Sequence, residues 1–343
     1  MIWQNWAAAG VVALAAALGV DTLVPAARPA AALVPLTITT TPLPLNRDDP
    51  GQDSVGKLRF LGAVHLRSTD ARFGGISALR AGAATESGVR LISVTDTGSW
   101  LTLTTIERGG RLISVTDGHL VPIRDPDGGT RRTKADGDAE ALDWTPATGA
   151  APIAYEQDHR MVQFTGIDAA RPASLAATPV RTERLTQMTG WPLNGGAEAL
   201  AILAGGTRIV ISERREHPDG SHAALITHAG TTREIGIIGV PGHSPTDAEA
   251  LDATRILVLH RRFDLMGQGA ALSLLDLAPA LGPNAPAVLP ARILAQWQAP
   301  VTLDNMEGLA IRRDGNRTFI YIVSDDNLSS IQRTLLMKFE LLL

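Results

Sequence analysis

The feature that most constrains this fold is a short motif of small and acidic residues that recurs along the chain. Its clearest copy is Asp304-Asn305-Met306-Glu307-Gly308-Leu309-Ala310. Weaker copies are centred on Glu249, Glu198 and Glu140, and a degenerate copy is centred on Ser77. Repeats of about 50 to 60 residues that carry short β-type segments are typical of β-propellers. The sequence therefore predicts an all-β fold built from repeated blades.

The last repeat shows the strand order that the others follow. A first strand over 308–311 precedes an Arg-Asp-Gly-Asn turn, which supplies the left-handed conformations of a tight hairpin. β-Branched and aromatic residues predict a second strand over 318–323, and an alternating pattern predicts a third over 335–343. The other repeats have second strands at 89–94, 151–155, 208–212 and 255–259, third strands at 100–106, 161–167, 223–227 and 271–275, and fourth strands at 111–123, 181–188, 233–240 and 292–297.

The number of repeats predicts five blades. A sixth, divergent blade within 77–140, the longest interval, is one alternative, and an irregular β-sandwich with accidental repeats is another. The last repeat has no fourth strand after Leu343. We therefore expect the alternating N-terminal segment 57–66 to pair with the C-terminal blade and close the ring, because closure removes the exposed sheet edges of an open array.

Composition narrows the class of protein. The chain has 343 residues, of which 45% are hydrophobic, and it carries a formal net charge of −4. This balance argues against a nucleic-acid-binding protein, which needs a concentrated basic face. The absence of cysteine excludes disulfides, thiolate zinc sites and Cys nucleophiles. We expect a monomer whose partner is a small phosphorylated substrate.

The N-terminal region predicts export to the periplasm or secretion. Residues 7–20 form an uncharged, Ala-rich run that is short for a membrane span but fits the apolar core of a signal peptide. We interpret 1–32 as a signal peptide or an N-terminal anchor, which would be the only contact with a membrane; an ordinary Ala-rich helix is the alternative. Residues 33–56 read as a Pro- and Thr-rich linker or strap, and 57–343 as the domain.

The repeated glutamates predict an acidic central funnel. In a propeller the first strand of each blade lines the central channel, so residues just before these strands converge on one axis. Acidic residues also end the second strands. Carboxylates crowded in one concavity repel each other unless a cation is present, and oxygen donors without Cys favour Ca²⁺ or Mg²⁺ over zinc. The predicted ligands of this divalent metal, with Ca²⁺ as the first choice, are Glu140, Glu198, Glu249, Glu307, Asp96 and Asp325.

Basic residues complete the predicted site. Several arginines follow the second strands, where they would balance the carboxylates or hold an anionic substrate. The predicted catalytic residues are Glu140, Glu198, Glu307 and Arg261. The predicted substrate-binding residues are Arg160, Arg214, Arg262 and His260. The alternative is that the repeated polar residues are structural and satisfy backbone groups of the neighbouring blade.

An ordered series of motifs resembles the phytase-like domain family, which is described as having esterase-like activity of phytase. The resemblance covers about residues 57–343. It is carried by Phe73-Gly74-Gly75-Ile76-Ser77, Ser93-Val94-Thr95-Asp96-Thr97-Gly98, Asp138-Ala139-Glu140-Ala141-Leu142, Asn194-Gly195-Gly196-Ala197-Glu198-Ala199-Leu200, Asn305-Met306-Glu307-Gly308-Leu309-Ala310 and Ser324-Asp325-Asp326-Asn327 with Gln332 and Thr334. The chain departs from the family at Thr97, where relatives more often carry Arg, and it keeps the basic pair Arg261-Arg262.

The resemblance implies a β-propeller, an exported bacterial protein and hydrolysis of phosphate esters. It does not extend to the calcium-dependent propeller phytases closely enough to transfer their calcium ligands. Together with the acidic funnel, it predicts an exported phosphoric-ester hydrolase that uses a divalent metal. Two alternatives stay open: a non-catalytic periplasmic propeller that binds a ligand or a protein, and a lactonase-type propeller that uses Ca²⁺ on a carboxylic ester.

Overall fold

The computed structural model describes residues 33–130, 133–264 and 267–343. The predicted signal peptide or anchor at 1–32 therefore lies outside the described residues. Within the described part of the chain the only α-helix is α1 (Lys134–Gly137), and short 3-10 helices lie at Pro172–Ala176, Thr186–Met188 and Ala278–Leu281. None of these helices is long and apolar enough to span a membrane.

All other regular structure consists of β-strands. The N-terminal strands are β1 (Val34–Leu36), β2 (Ile38–Leu43), β3 (Ser54–Val55) and β4 (Leu58–Ser68). Blade one contains β5 (Ile76–Ala84), β6 (Val89–Thr95), β7 (Ser99–Arg108) and β8 (Arg111–Pro122). Blade two contains β9 (Ala139–Leu142), β10 (Ala151–Tyr155), β11 (Arg160–Phe164) and β12 (Arg181–Arg184). Blade three contains β13 (Ala197–Ile202), β14 (Arg208–Glu216), β15 (His222–His228) and β16 (Thr231–Ile238).

Two further blades complete the ring. Blade four contains β17 (Ser244–Ala250), β18 (Arg255–Asp264), β19 (Gly267–Asp276) and β21 (Arg292–Gln298). The short β20 (Val288–Pro290) precedes β21 in sequence but pairs with β16 of blade three. Blade five contains β22 (Asn305–Asp314), β23 (Arg317–Asp325) and β24 (Thr334–Leu341), with β4 as its fourth strand. Five sheets thus form a five-bladed β-propeller, which confirms the predicted fold.

The ring closes between the two ends of the domain. Strand β4 pairs antiparallel with β24, so that Leu66 lies opposite Thr334 and Leu58 lies opposite Leu341. This pairing confirms the predicted closure by an N-terminal strand. The Pro- and Thr-rich segment before it supplies two outer strands: β2 pairs with β4 in blade five, and β1 pairs with β8 in blade one. One stretch of chain therefore runs over the outer edges of two neighbouring blades and covers both.

Large aromatic side chains fill the wedges between blades. The ring of Trp100 in blade one meets that of Phe164 in blade two edge-on, with centroids 5.4 Å apart. Trp297 in blade four lies 6.4 Å from Phe339 in blade five. All four rings are buried. Burial of each such side chain stabilises the fold by about 2 kcal/mol, so the blades adhere mainly through these apolar faces.

The centre of the ring is filled by Arg80 of β5, whose side chain is 1% exposed. Its terminal nitrogens form a bidentate ion pair with Asp247 of β17, at 2.9 and 3.1 Å. They also donate to the carbonyl oxygens of Leu200, Ala248 and Leu309, at 2.9, 2.6 and 3.0 Å. One guanidinium from blade one therefore ties blades three, four and five together across the axis.

Two more carboxyl groups extend this polar layer. Asp143 accepts a hydrogen bond from the backbone N–H of Ile202, at 2.8 Å, and Glu249 accepts one from the N–H of Ile311, at 2.6 Å. These bonds join blade two to blade three and blade four to blade five. A buried ion pair is tolerated when hydrogen bonds satisfy most of its remaining polar atoms. Here both oxygens of Asp247 and both terminal nitrogens of Arg80 are satisfied, and Arg80 Nε has no hydrogen-bond partner. The channel plug is Arg80, Asp143, Asp247 and Glu249.

Replacing the cation of the plug should weaken the whole ring. In the Arg80→Met variant Asp247 stays buried without its partner, and the loss of such a partner costs about 3–5 kcal/mol. We expect a lower midpoint for urea unfolding followed by tryptophan fluorescence. The matched control is Arg171→Met, because Arg171 is paired with Asp168 at the surface and is 74% exposed. Equal midpoints for the two variants would show that the plug does not hold the blades together.

Candidate functional site

Each first strand carries one extra residue, a β-bulge, at the same point of its blade. Pairing with the second strand skips a single residue there, for example between Ala139 and Ala141 in blade two and between Ala197 and Ala199 in blade three. A bulge bends the strand and re-aims the side chain of the extra residue. The five bulged residues, which we call the inner ring, are Ser77, Glu140, Glu198, Thr246 and Glu307.

The inner ring corrects the predicted register of the fourth repeat. Its bulge lies between Pro245 and Asp247, so Thr246 occupies the position that the motif assigned to Glu249. The Thr246 hydroxyl donates to the carbonyl oxygen of Met306, at 3.0 Å. Glu249 lies deeper, in the channel plug, where burial raises its pKa to about 8. It is therefore not placed with the other predicted ligands. The glutamates also lie within the first strands rather than just before them.

A second ring follows from the same pairing. In every blade the residue that ends or follows the paired part of the second strand stands beside the bulge. Four of these residues are acidic, as predicted, and the fifth is an arginine. This outer ring consists of Asp96, Glu156, Glu213, Arg261 and Asp325. The ten residues of the two rings thus include seven carboxyl groups and one guanidinium, and the charge is strongly unbalanced.

Arg261 neutralises one side of the funnel. Its guanidinium lies 2.6 Å from Glu213 and 3.1 Å from Glu307 and donates to the side-chain oxygen of Asn305 at 2.7 Å. Asn305 in turn donates to Glu307, at 2.8 Å. Burial raises the pKa of Glu307 to about 8, although Arg261 acts in the opposite direction. Burial likewise raises the pKa of Asp325 to about 7. Each of these two carboxyl groups can therefore gain or lose a proton near neutral pH.

The opposite side of the funnel is acidic throughout. This acidic half consists of Asp96, Asp138, Glu140, Glu156 and Glu198. Ligand oxygens of Asp138, Glu140 and Glu156 all lie within 4.8 Å of one another. Burial, followed by the charges of Asp138 and Glu156, raises the pKa of Glu140 well above its usual value. Burial, followed by the charges of Glu140 and Glu156, does the same for Glu198. The groups repel each other at neutral pH unless a proton or a cation lies between them.

Backbone groups hold Glu156 in place. One of its oxygens accepts hydrogen bonds from the backbone N–H groups of Gly195 and Gly196, the latter at 3.0 Å. Gly195 has a φ of 92°, and a Cβ there would collide with the side chain of Arg214 at 2.4 Å. Only glycine therefore lets the loop before β13 approach the carboxylate this closely.

A cavity of about 460 Å³ opens over blades three, four and five. Its wall includes Glu213, Arg214, Arg261 and Asn305 from the charged side of the funnel. The same wall includes two exposed apolar residues, Phe263 and Ile331. We call this space the mouth cavity. Its size is typical of small-molecule sites.

The predicted arginines and histidine have different positions. Arg214 and Arg261 line the mouth cavity. Arg160 stacks over the Tyr155 ring, 3.8 Å from its centroid, and pairs with Asp158 at 2.5 Å. Arg262 donates to Gln298 at 2.9 Å. Neither lines the mouth cavity. Their predicted substrate-binding role stays a prediction.

His260 is also turned away from the mouth cavity. Its ring is 1% exposed and Nε2 lies 2.8 Å from the Ser273 hydroxyl. Burial, with small contributions from His222 and His243, lowers its pKa to about 3, so it stays neutral. This placement corrects its predicted position among the substrate contacts. Successive side chains of a β-strand point to opposite faces of the sheet. Because Arg261 of β18 faces the funnel, the His260 side chain lies on the opposite face.

Sequence reasoning missed Asp138 as a member of the acidic half. It precedes β9 directly, and its carboxyl accepts from the side chain of Gln157 at 2.9 Å. The signal is present in the sequence, because Asp138 belongs to the repeated motif and lies two residues before its central Glu. Sequence reasoning also missed Phe263 and Ile331, the exposed apolar residues at the rim of the mouth cavity. Isolated exposed hydrophobic residues carry no pattern.

Comparisons with solved structures give only distant likenesses. The catalytic domain of a GH62 alpha-L-arabinofuranosidase from Coprinopsis cinerea is 11% identical, with a TM-score of 0.46 over 84% of this chain and 98% of that one. An alpha-L-arabinofuranosidase from Podospora anserina is 10% identical, with a TM-score of 0.45 over 83% and 97%. A putative 6-phosphogluconolactonase from Bacteroides fragilis is 11% identical, with a TM-score of 0.35 over 88% and 82%. Scores this low carry no argument about activity.

Family membership follows from sequence alone. No curated protein matches the chain. The family model Phytase-like, described as esterase-like activity of phytase, matches residues 71–328, which is most of the chain and includes all ten residues of the two rings. The resemblance noted in the motifs is thereby confirmed. The chain belongs to the phytase-like family of β-propeller proteins.

Proposed function

We propose that this protein is an exported phosphoric-ester hydrolase that uses a divalent cation, with Ca²⁺ as the first candidate, held in the acidic half of the funnel. The observation that carries the proposal is the group formed by Asp138, Glu140 and Glu156, whose oxygens lie within 4.8 Å of one another. The family description, which refers to ester hydrolysis, supports the reaction class. Export is supported by the apolar N-terminal run.

The donor set fits a hard cation. It consists of carboxylate oxygens, which Ca²⁺ and Mg²⁺ prefer. Glu140 lies within hydrogen-bonding reach of Asp138, and Glu198 within reach of Glu156, so each pair must share a proton or a cation. When bound, a divalent cation neutralises these carboxylates, polarises the phosphoryl group and activates water. We assign Asp138, Glu140, Glu156 and Glu198 as its ligands, with Asp96 at the edge of the group.

The other side of the funnel supplies the remaining functions. Arg261 and Arg214 bind the phosphoryl oxygens, since both line the mouth cavity. In the reaction a bond forms between water oxygen and phosphorus while the bond from phosphorus to the ester oxygen breaks. Glu307, with a pKa of about 8, is protonated at neutral pH and gives its proton to the leaving oxygen. The proton released by water goes to a carboxylate of the acidic half.

Replacing one ligand should abolish hydrolysis without unfolding the protein. We expect Glu198→Gln to lower cation-dependent release of phosphate from an aryl phosphate by about 100-fold or more. The matched control is Glu86→Gln, because Glu86 is an exposed glutamate outside both rings. The assay panel also contains phytate, an aryl acetate and a lactone, each with Ca²⁺ and with chelator.

The panel separates the proposed activity from the alternatives. Turnover of the lactone or acetate alone would replace the phosphoric-ester assignment with a carboxylic-ester one. No turnover of any compound would favour a binding propeller. The stability of Glu198→Gln adds a second readout: because Gln cannot carry the charge that burial and the neighbouring carboxylates disfavour at this position, the cation-free variant should be at least as stable as the parent at pH 8. A destabilised variant would indicate a structural role.

Without a bound cation, the stability of the protein should fall as pH rises, and a bound cation should weaken this dependence. Glu307 has a pKa of about 8, and those of Glu140 and Glu198 are also raised, whereas unfolded glutamates titrate near 4.5. Between these limits the folded state holds more protons than the unfolded chain, so stability falls as pH rises. We expect the cation-free melting temperature to decrease from pH 6.5 to 8.5.

This window avoids an opposing contribution. Burial lowers the pKa of His222 and His260 in the folded state. The protonation of these residues therefore differs between the folded and unfolded states only below about pH 6.5. Adding Ca²⁺ should raise the melting temperature more at pH 8.5 than at pH 6.5, because protons compete for the ligands. Thermal melts of Glu198→Gln provide the control, since this variant should show a shallower slope. A cation effect that is independent of pH would place the ion elsewhere.

A further inference from the structure

We propose that the mouth cavity selects an ester in which a single anionic group is attached to an apolar group, and that it disfavours inositol polyphosphates. The inference rests on the proposed hydrolase function, since it names the substrate class of the same site. Three independent observations carry it: the charge of the rings, the engagement of the arginines, and the apolar rim of the cavity.

The charge of the rings opposes a polyanion. Seven of the ten ring residues carry a carboxyl group, and one, Arg261, carries a positive charge. A cation bound in the acidic half would offset only part of this charge. An inositol polyphosphate carries negative charge all around its ring, and each like-charge contact in a partly buried site costs binding energy. The funnel therefore has room for one anionic group, beside Arg261, and not for several.

Most arginines that could hold further phosphates are engaged elsewhere. Arg160 is buried, stacks over the Tyr155 ring and is paired with Asp158, and Arg262 is hydrogen-bonded to Gln298. Among the residues described, the cations that line the mouth cavity are Arg214 and Arg261. Both pair with Glu213, at 2.6 Å for Arg261 and 3.2 Å for Arg214, so the two guanidiniums share one carboxylate and leave positive charge for one anionic group. A polyphosphate site needs several free cations around the ligand, and this cavity does not provide them.

The rim of the cavity is apolar on two sides. Phe263 belongs to β18 of blade four and is 74% exposed, and Ile331 belongs to the loop between β23 and β24 in blade five and is 89% exposed. Both line the same cavity as Arg261. Large apolar side chains exposed together at a concave site indicate an apolar ligand group. An aryl or branched alkyl group between them would cover both side chains while its anionic group reaches Arg261.

The test is a binding measurement that does not need turnover. Titration calorimetry compares phenylphosphonate, methylphosphonate and inositol hexakisphosphate, with free Ca²⁺ held constant. These phosphonates carry the same anionic group and cannot be hydrolysed as esters. We expect phenylphosphonate to bind about tenfold more tightly than methylphosphonate, because its ring buries apolar surface. Inositol hexakisphosphate should bind more weakly than phenylphosphonate.

Variants locate the preference. Phe263→Ser and Ile331→Ser should each remove most of the advantage of the phenyl group and leave methylphosphonate binding unchanged. Val180→Ser is the matched control, because Val180 is 62% exposed and does not line the mouth cavity. Equal binding of the two phosphonates, tighter binding of inositol hexakisphosphate, or an equal loss in Val180→Ser would each overturn the inference.

Turnover distinguishes failure of this inference from failure of the proposed function. If phytate is hydrolysed with a higher kcat/KM than an aryl phosphate, the hydrolase stands and the inferred substrate class is wrong. If no ester is hydrolysed but phenylphosphonate binds with the expected pattern of variants, the hydrolase is wrong and the inferred ligand class stands.

Discussion

The bidentate pair between Arg80 and Asp247 is the interaction on which the rest of the architecture depends. It fills the centre of the ring and ties blade one to three others through backbone carbonyls. Because both side chains are buried, the funnel ends at the plug rather than continuing as an open channel. The carboxyl groups of Glu140, Glu198 and Glu307 are themselves buried, and burial is the largest cause of their raised pKa values.

The five bulges then determine what the pocket contains. A propeller with exact symmetry would present five identical residues at each level, but here blade four differs at both. It carries Thr246 in the inner ring and Arg261 in the outer ring, where the other blades carry mostly acids. The Arg261 guanidinium therefore lies on one side of the funnel, where it contacts Glu213 and Glu307. The acidic half formed by blades one to three lies on the other side. Blade one departs only in the inner ring, where it carries Ser77, so the polarity of the site comes from Arg261 of blade four.

Much of this arrangement could be predicted from the sequence. Alternating β-branched segments and turn residues recur at a period that fixes strand order, and the missing fourth strand of the last repeat required the N-terminal segment to close the ring. The fourth repeat could not be aligned correctly, because Asp247-Ala248-Glu249-Ala250-Leu251 imitates the motif three residues after the true bulge. Strand pairing, not local sequence, decides which residue is extra. Arg80 is the lone charge of its first strand, but no repeated motif marks it, so only the structure shows that it fills the centre of the ring.

The polarity of the funnel has a chemical consequence that symmetry would not permit. If the proposed divalent cation binds, it competes with protons for the acidic half and would expel protons from Glu140 and Glu198. On the other side, Arg261 donates to Glu213 and Asn305 and contacts Glu307, yet burial still keeps the pKa of Glu307 at about 8. One half of the funnel would then be deprotonated while the other keeps a proton to give. The proposed general-acid catalysis beside a cation needs that division, and on the Glu307 side burial produces it against the opposing charge of Arg261.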